Sequence, residues 1–292
     1  MNYHAPGTVA EAISLLDDHP TAKVFAGATD LVPQLRAGRP APEALIDLKK
    51  IDRLIGITHH DHTWTIGAAT PTVLLTEHAD LTAQFPGLVE AAGLIGSDQI
   101  QSRSSLGGNL CNASPAADSV PAMLINDMRA VIAGPSGERV VPVADIATGP
   151  GQTSLAHNEI LVEFQLDDPA PNTSDAYLRM IPRTEMDIAV VGAGARLTLA
   201  DDGTVASAAI ALGAVAPTAF RLTQAEEALV GSPVTDDALA AAASVASAAT
   251  NPIDDKRGTI AYRRHVAGVL TKRAITTAAQ RAQQQSSNGG RA

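Results

Sequence analysis

Aromatic residues are scarce. Phe, Trp and Tyr together make up 3% of the 292 residues, so the cores must be built mainly from Ala, Val, Leu and Ile. Cysteine occurs once. That excludes an internal disulfide framework, and equally an iron–sulfur cluster ligated within the chain, which takes about four thiolates. Basic residues are outnumbered, 21 Lys and Arg against 31 Asp and Glu, for a formal net charge of −10. Nucleic acid and anionic membrane surfaces reward clustered cations, so neither is expected as the main partner. No stretch approaches ~18 consecutive apolar residues, and no basic segment followed by an apolar one opens the chain. The expectation is a cytoplasmic protein without a transmembrane segment.

A chain of this length suggests two domains, or two lobes sharing a ligand. Small polar residues concentrate in one stretch, Ser104-Ser105-Leu106-Gly107-Gly108-Asn109-Leu110-Cys111-Asn112-Ala113-Ser114-Pro115-Ala116-Ala117-Asp118. Such a run makes a poor core and suits a backbone pressed against a polyanion. Glycines lack Cβ and allow positive φ, so consecutive N–H groups can converge on phosphate oxygens. A second candidate cradle lies upstream. Lys23-Val24-Phe25-Ala26 reads as a buried strand, Gly27-Ala28-Thr29-Asp30 as a compact turn, and Leu31 to Leu35 as a helix start. The turn offers N–H groups, the Thr29 hydroxyl and a helix N-terminus. It holds no Lys or Arg, so an anion there would be held mainly by dipoles.

Elsewhere the pattern is that of a mixed α and β chain. Thr8 and Glu11 form a capping box for a first helix. His59-His60-Asp61-His62 falls in a turn predicted over residues 58–63; neighbours on an extended chain point to opposite sides, so no metal site is expected. Ser114 is a candidate N-cap, with Pro115 in the first turn of a helix reaching Ile125 and Pro121 bending it. Cys111 reads as a small buried hydrophobe. Strands are predicted around residues 130–133, 138–143 and 160–166. Asp167 to Ser174, with two prolines, reads as the linker between domains. Gly192-Ala193-Gly194 imitates a dinucleotide fingerprint, but the third glycine is missing and a hairpin follows, so a Rossmann domain is rejected. Helices are predicted over residues 236–250 and 262–282, with disorder from Gln283.

Taken as a set, the motifs go further. Phe25 to Leu31, Ser105 to Asn109 and Ala113 to Asp118 closely resemble the flavin-binding motifs of the molybdenum hydroxylase family. The match is to its FAD-binding medium subunit, as in bacterial carbon monoxide dehydrogenases and the flavin domain of xanthine dehydrogenases. Ile46-Asp47-Leu48, Ile66 to Thr70, Arg183 with Asp187-Ile188-Ala189, and Asp255-Lys256-Arg257 with Tyr262-Arg263-Arg264 support it along the chain.

The resemblance implies an α+β chain. A two-lobed FAD-binding PCMH-type domain would span residues 1–172, with lobes of roughly 1–55 and 56–172. A smaller α+β domain with a three-stranded antiparallel sheet and helices would span 173–282, with residues 283–292 as a disordered tail. Carried over by position, Ala26, Gly27, Ala28, Thr29, Asp30 and Leu31 form one phosphate loop. Ser105, Leu106, Gly107, Gly108 and Asn109 form the other, with Asn112 beside it. Asp118 accepts from FAD hydroxyls, and Asp187 and Ile188 lie near the isoalloxazine. Ala28 stands where the family often has a second Gly, so the turn is expected to avoid a strongly positive φ there.

The implied role is electron transfer. A molybdopterin-bearing large subunit hydroxylates the substrate, a small subunit with two [2Fe–2S] clusters relays electrons, and FAD on this chain passes them to an external acceptor. The assembly implied is a dimer of heterotrimers. No catalytic residue and no metal ligand is assigned to this chain. Two alternatives stay open, a free-standing PCMH-type flavin oxidoreductase and a structural subunit without flavin. The substrate (carbon monoxide, a purine, an N-heterocycle or an aldehyde) and the acceptor also stay open.

Overall fold

The computed structural model describes residues 1–289. The chain begins with a small parallel layer made of β1 (Asn2–His4), α1 (Val9–Asp18), β2 (Lys23–Phe25), α2 (Leu31–Arg36) and β3 (Ala44–Asp47), the strands in the order β1-β3-β2. The capping box is present, Thr8 accepting from Glu11 N–H while Glu11 reaches back to the Thr8 amide. Pro33 falls in the first turn of α2, where its missing N–H has no partner to lose. β2 departs from the buried strand expected. It is an edge strand with Val24 exposed, because its outer side faces the cleft described below.

The second lobe comprises β4 (Ile57–His60), β5 (Thr63–Gly67), α3 (Thr72–Thr76), α4 (Ala79–Gln84), α5 (Pro86–Gly93), α6 (Asp98–Gln101), α7 (Leu106–Cys111), α8 (Ser119–Ile125), β6 (Arg129–Gly134), β7 (Gly137–Pro142), β8 (Ala147–Gly149), β9 (Gln152–Thr153) and β10 (Ile160–Asp167). Its main sheet is antiparallel, in the order β4-β5-β10-β6-β7. The predicted turn over residues 58–63 shrinks to Asp61 and His62, both at positive φ, as a two-residue hairpin on right-twisted strands requires. The lobes share apolar packing: Ala69, Ile160 and Val162 join Leu16, Ile46 and Leu54 in one cluster.

α8 starts later than the sequence suggested. Asp118, not Ser114, occupies its N-cap position, and Pro121 therefore sits in the first turn and has no ladder bond to break. Ser114 instead receives the Ala116 N–H within the preceding turn.

β10 leads through residues 168–172 into the last unit, β11 (Thr173–Met180), β12 (Val191–Leu199), β13 (Val205–Gly213), β14 (Phe220–Arg221), α9 (Thr223–Leu229), α10 (Asp236–Ala249) and α11 (Ile260–Gly289). The sheet is antiparallel in that order. Three long strands match the expectation, and the two-residue β14 adds a short fourth on β13. Gly192-Ala193-Gly194 lies inside β12, so its small residues serve packing: Gly194 faces Ile125 and the Pro121 carbonyl of α8. α11 continues through Gly289 where disorder was expected from Gln283, and residues 290–292 lie outside those described.

Among the described residues, no helix is long and apolar enough to cross a membrane.

Candidate functional site: a cleft between two turns

The two turns singled out in the sequence meet. Ala26, Gly27, Ala28, Thr29, Asp30 and Leu31 form one wall of a cleft of about 650 Å³, and Ser105, Gly107, Gly108, Asn109 and Asn112 form the facing wall. The volume lies within the range of small-molecule and cofactor sites, roughly 300–1,000 Å³.

The glycines and the alanine have exchanged the roles expected of them. Neither Gly27, Gly107 nor Gly108 has positive φ; Ala28 does, at 57°. The expectation that the turn avoids that conformation at Ala28 is overturned. The glycines are required for closeness. A Cβ on Gly27 would overlap the backbone carbonyl of Arg103, and one on Gly107 would overlap that of Ala68. Gly27 thus brings the first lobe into backbone contact with the segment leading to Ser105. The αL conformation costs an L-residue about 1–2 kcal/mol, and such strain persists where surrounding structure over-determines it. Ala28→Gly should therefore stabilise the chain by about 1 kcal/mol, after the entropy that glycine adds to the unfolded state. Urea unfolding checks this; an unchanged or lower stability contradicts the strain.

The donors divide unevenly between the walls. Among the described residues, the backbone N–H groups of Gly27, Ala28, Thr29 and Asp30 make no hydrogen bond within the protein. Four consecutive unpaired donors beside a cavity are the groups from which an anion receptor can be built. The facing wall is already engaged. Gly107 N–H donates to Ala68 O, Asn109 N–H to Ser105 O, and Gly108 N–H to Ser105 Oγ. The row of N–H groups expected there is absorbed in starting α7. What Ser105 retains is its own hydroxyl proton, since it only accepts from Gly108. Asn109 Oδ1 accepts from Ser119 N–H (3.3 Å) and Ser119 Oγ–H (2.7 Å), bracing α8. The lobes are bridged at the cleft by Gln34 Nε2, which donates to Asn112 Oδ1 at 3.1 Å.

Leu106, Asp118, Asp187 and Ile188 do not line this cleft. Leu106 is fully buried. Asp118 is buried too, accepting from Tyr177 Oη–H (2.9 Å) and Arg179 Nη1–H (2.7 Å) on β11. Burial lifts its carboxyl above the usual range, with the Arg179 charge and both hydrogen bonds pulling the other way. The Tyr177 hydroxyl is in turn pushed well up, by burial and then by the Asp118 charge. Asp187 is bound by Ile188 N–H, Arg183 and Arg257, and Ile188 is exposed.

Sequence reasoning missed Gln34 and Arg39 on the first wall and Thr153, Leu155 and His157 at the far end. Gln34 could have been found, standing one helical turn beyond Asp30; the segment around His157 carried no signal. Cys111, read as buried, is exposed on the cleft wall. His59 and His62 do converge, both donating to the Asp168 carboxylate at 2.8 and 3.1 Å, across a hairpin turn in which Asp61 and His62 are at positive φ. Among the described residues, no group of three or more His, Cys, Asp or Glu is placed to hold a metal ion.

Comparison with known proteins decides what this cleft belongs to. Residues 1–168 match the family described as the FAD binding domain in molybdopterin dehydrogenase, and residues 176–278 match the CO dehydrogenase flavoprotein C-terminal domain. The chain belongs to the FAD-binding subunits of molybdopterin dehydrogenases. Within that family it is 34% identical over 279 residues to the xanthine dehydrogenase FAD-binding subunit of Escherichia coli O157:H7, with 95% of each chain covered. Among solved structures it is similar to carbon monoxide dehydrogenase from Hydrogenophaga pseudoflava, with a TM-score of 0.93 and 36% identity over 96% of this chain and 98% of that one. It is also similar to quinoline 2-oxidoreductase from Pseudomonas putida 86, with a TM-score of 0.90 and 29% identity over 97% and 98% of the two chains. The proteins it resembles are thus named for chemically different substrates, while the fold is common.

Proposed function

We propose that this chain is the FAD-binding electron-transfer subunit of a cytoplasmic molybdenum hydroxylase, built as a dimer of heterotrimers with a small [2Fe–2S] subunit and a large molybdopterin subunit. The observation that carries this reading is the run of free N–H groups from Gly27 to Asp30 facing the Ser105 hydroxyl across one cleft. That donor set suits a pyrophosphate, whose oxygens only accept. When bound, FAD supplies the redox chemistry, taking up single electrons and releasing them in pairs. This chain's residues do the holding. Gly27 to Asp30 and Thr29 Oγ1 bind the pyrophosphate from the first lobe, and Ser105 donates from the second. Asp118, Asp187 and Ile188 are assigned further along the cofactor, toward the FAD hydroxyls and the ring. For Asp118 this means sharing its carboxylate with Tyr177 and Arg179. Residues 1–172 form the flavin-binding part and 173–282 the C-terminal domain.

Purification with the neighbouring subunits is the test. The expected result is a yellow chain that co-elutes with an iron–sulfur and a molybdenum subunit, and that binds FAD alone but does not oxidise substrate alone. A flavin-free subunit in an active complex, or substrate turnover by the isolated chain, contradicts the assignment.

A further inference from the structure

The first phosphate loop begins where the parallel layer runs out of partners. β2 pairs with β3 only as far as Phe25 opposite Asp47, and β3 then turns away into a short 3-10 segment, Leu48–Lys50. The next carbonyl along, that of Ala26, has no strand donor opposite it. Lys49 supplies one: its Nζ donates to Ala26 O at 3.0 Å. The same ammonium sits 2.8 Å from both carboxylate oxygens of Asp47 and 4.8 Å from the centre of the Phe25 ring. Asp47 is itself fixed, accepting from Lys49 N–H (3.0 Å) and Tyr3 Oη–H (2.8 Å). Burial pushes the Asp47 carboxyl up, but the hydrogen bonds from Lys49 and Tyr3 outweigh it and hold it below the ordinary range.

Lys49 does not line the cleft, and its charge is neutralised by Asp47, so its leverage is geometric. In a trans peptide the C=O of one residue and the N–H of the next point in opposite directions. Holding Ala26 O on the Lys49 side therefore aims the Gly27 N–H the other way. Gly27 is the first of the four unpaired donors, and the strained Ala28 follows immediately.

We propose that Lys49, held by an Asp47 carboxylate that Tyr3 also binds, is a positioning residue that pre-organises the Gly27–Asp30 donors for a pyrophosphate without touching it. The inference rests on the reading of the cleft as an FAD site. Receptors fixed before binding lose less on ordering, which is the physical benefit of such an anchor.

The test uses the full chain stripped of flavin. Lys49→Met keeps the stem and removes the donor. FAD and ADP affinities are measured by fluorescence and calorimetry, with riboflavin, which has no phosphate, as competitor. FAD and ADP should bind about tenfold more weakly, the effect of losing roughly one hydrogen bond to a charged group. Riboflavin should change by less than about twofold, so the ratio of FAD to riboflavin affinity falls. Lys49→Arg, which keeps a charged donor, should restore most of the loss. Asp47→Asn, nearly isosteric, should give an intermediate loss and stands in if Lys49→Met does not fold. Wild-type FAD affinity in Lys49→Met and Asp47→Asn overturns the proposal, as does an equal weakening of riboflavin. A wild-type chain that binds no FAD overturns the cofactor reading itself, so the two failures are distinguishable.

Discussion

Gly27→Ala is expected to cost about 3 kcal/mol of stability, at the upper end for overpacking, and to abolish FAD retention through gel filtration. The added methyl would meet the Arg103 carbonyl, and a backbone cannot swing aside as a side-chain tip can. The only relief is to move the first lobe off the segment that leads to Ser105. That separates the two walls whose donors must reach one pyrophosphate. Stability and binding should therefore fall together. Ala28→Gly makes the contrast one position later, where stability should rise. Near-wild-type stability for Gly27→Ala would mean that the lobes are not in the backbone contact described.

The second large effect concerns Asp118. Arg179→Met should destabilise the chain by about 3–5 kcal/mol at neutral pH, the usual result of leaving a buried charge without its partner. The side chains are 5% and 10% exposed, so water cannot replace the guanidinium. The defect should depend on pH, with a definite sign. The folded-state pKa of Asp118 already lies above its ordinary value of 3.8. The native state therefore binds the proton more readily, and stability from this group is complete below that value and lost as pH rises through the folded pKa. Removing Arg179 raises the folded pKa further and extends the loss to higher pH. The deficit of Arg179→Met should thus be largest near neutrality and shrink on acidification, as the carboxyl becomes neutral. Urea titrations at neutral and mildly acidic pH decide it, and a constant deficit rules it out. Adding Asp118→Asn should recover part of the loss at neutral pH, because the unpaired charge is then gone.

Much of this was legible in the residues, in a specific sense. Gly27, Gly107 and Gly108 marked where backbone approaches something closely, and the two segments do form facing walls of one cleft. The sequence could not say what they approach. Each of Gly27 and Gly107 makes room for another backbone segment of this same chain, a fact of tertiary packing with no local signature. Ala28 misled because residue type is a prior on φ and tertiary contacts override it. His59 and His62 misled because Asp61 and His62, both at positive φ, are not the extended chain on which the argument rested. The 3-10 turn that carries Lys49 to Ala26 lies 23 positions away in sequence, beyond any periodicity. Strands and long helices, fixed by repeated apolar spacing, were located well. The exception is the end of α11, where Gln-rich sequence still supports a helix.

Asp175, on β11, accepts from Gly87 and Leu88 N–H at the start of α5 and from Asn126 Nδ2 at the end of α8. Arg281, near the far end of the chain, pairs with Glu90 of α5 and donates to the Asp175 carbonyl. These links carry a consequence for synthesis. As the chain leaves the ribosome, α5 emerges with its first donors unanswered and stays so until residue 175 is free to fold back. Glu90 waits longer still, until Arg281 has been made. The second lobe therefore gains these contacts only after β11 and the part of α11 that carries Arg281 have been made.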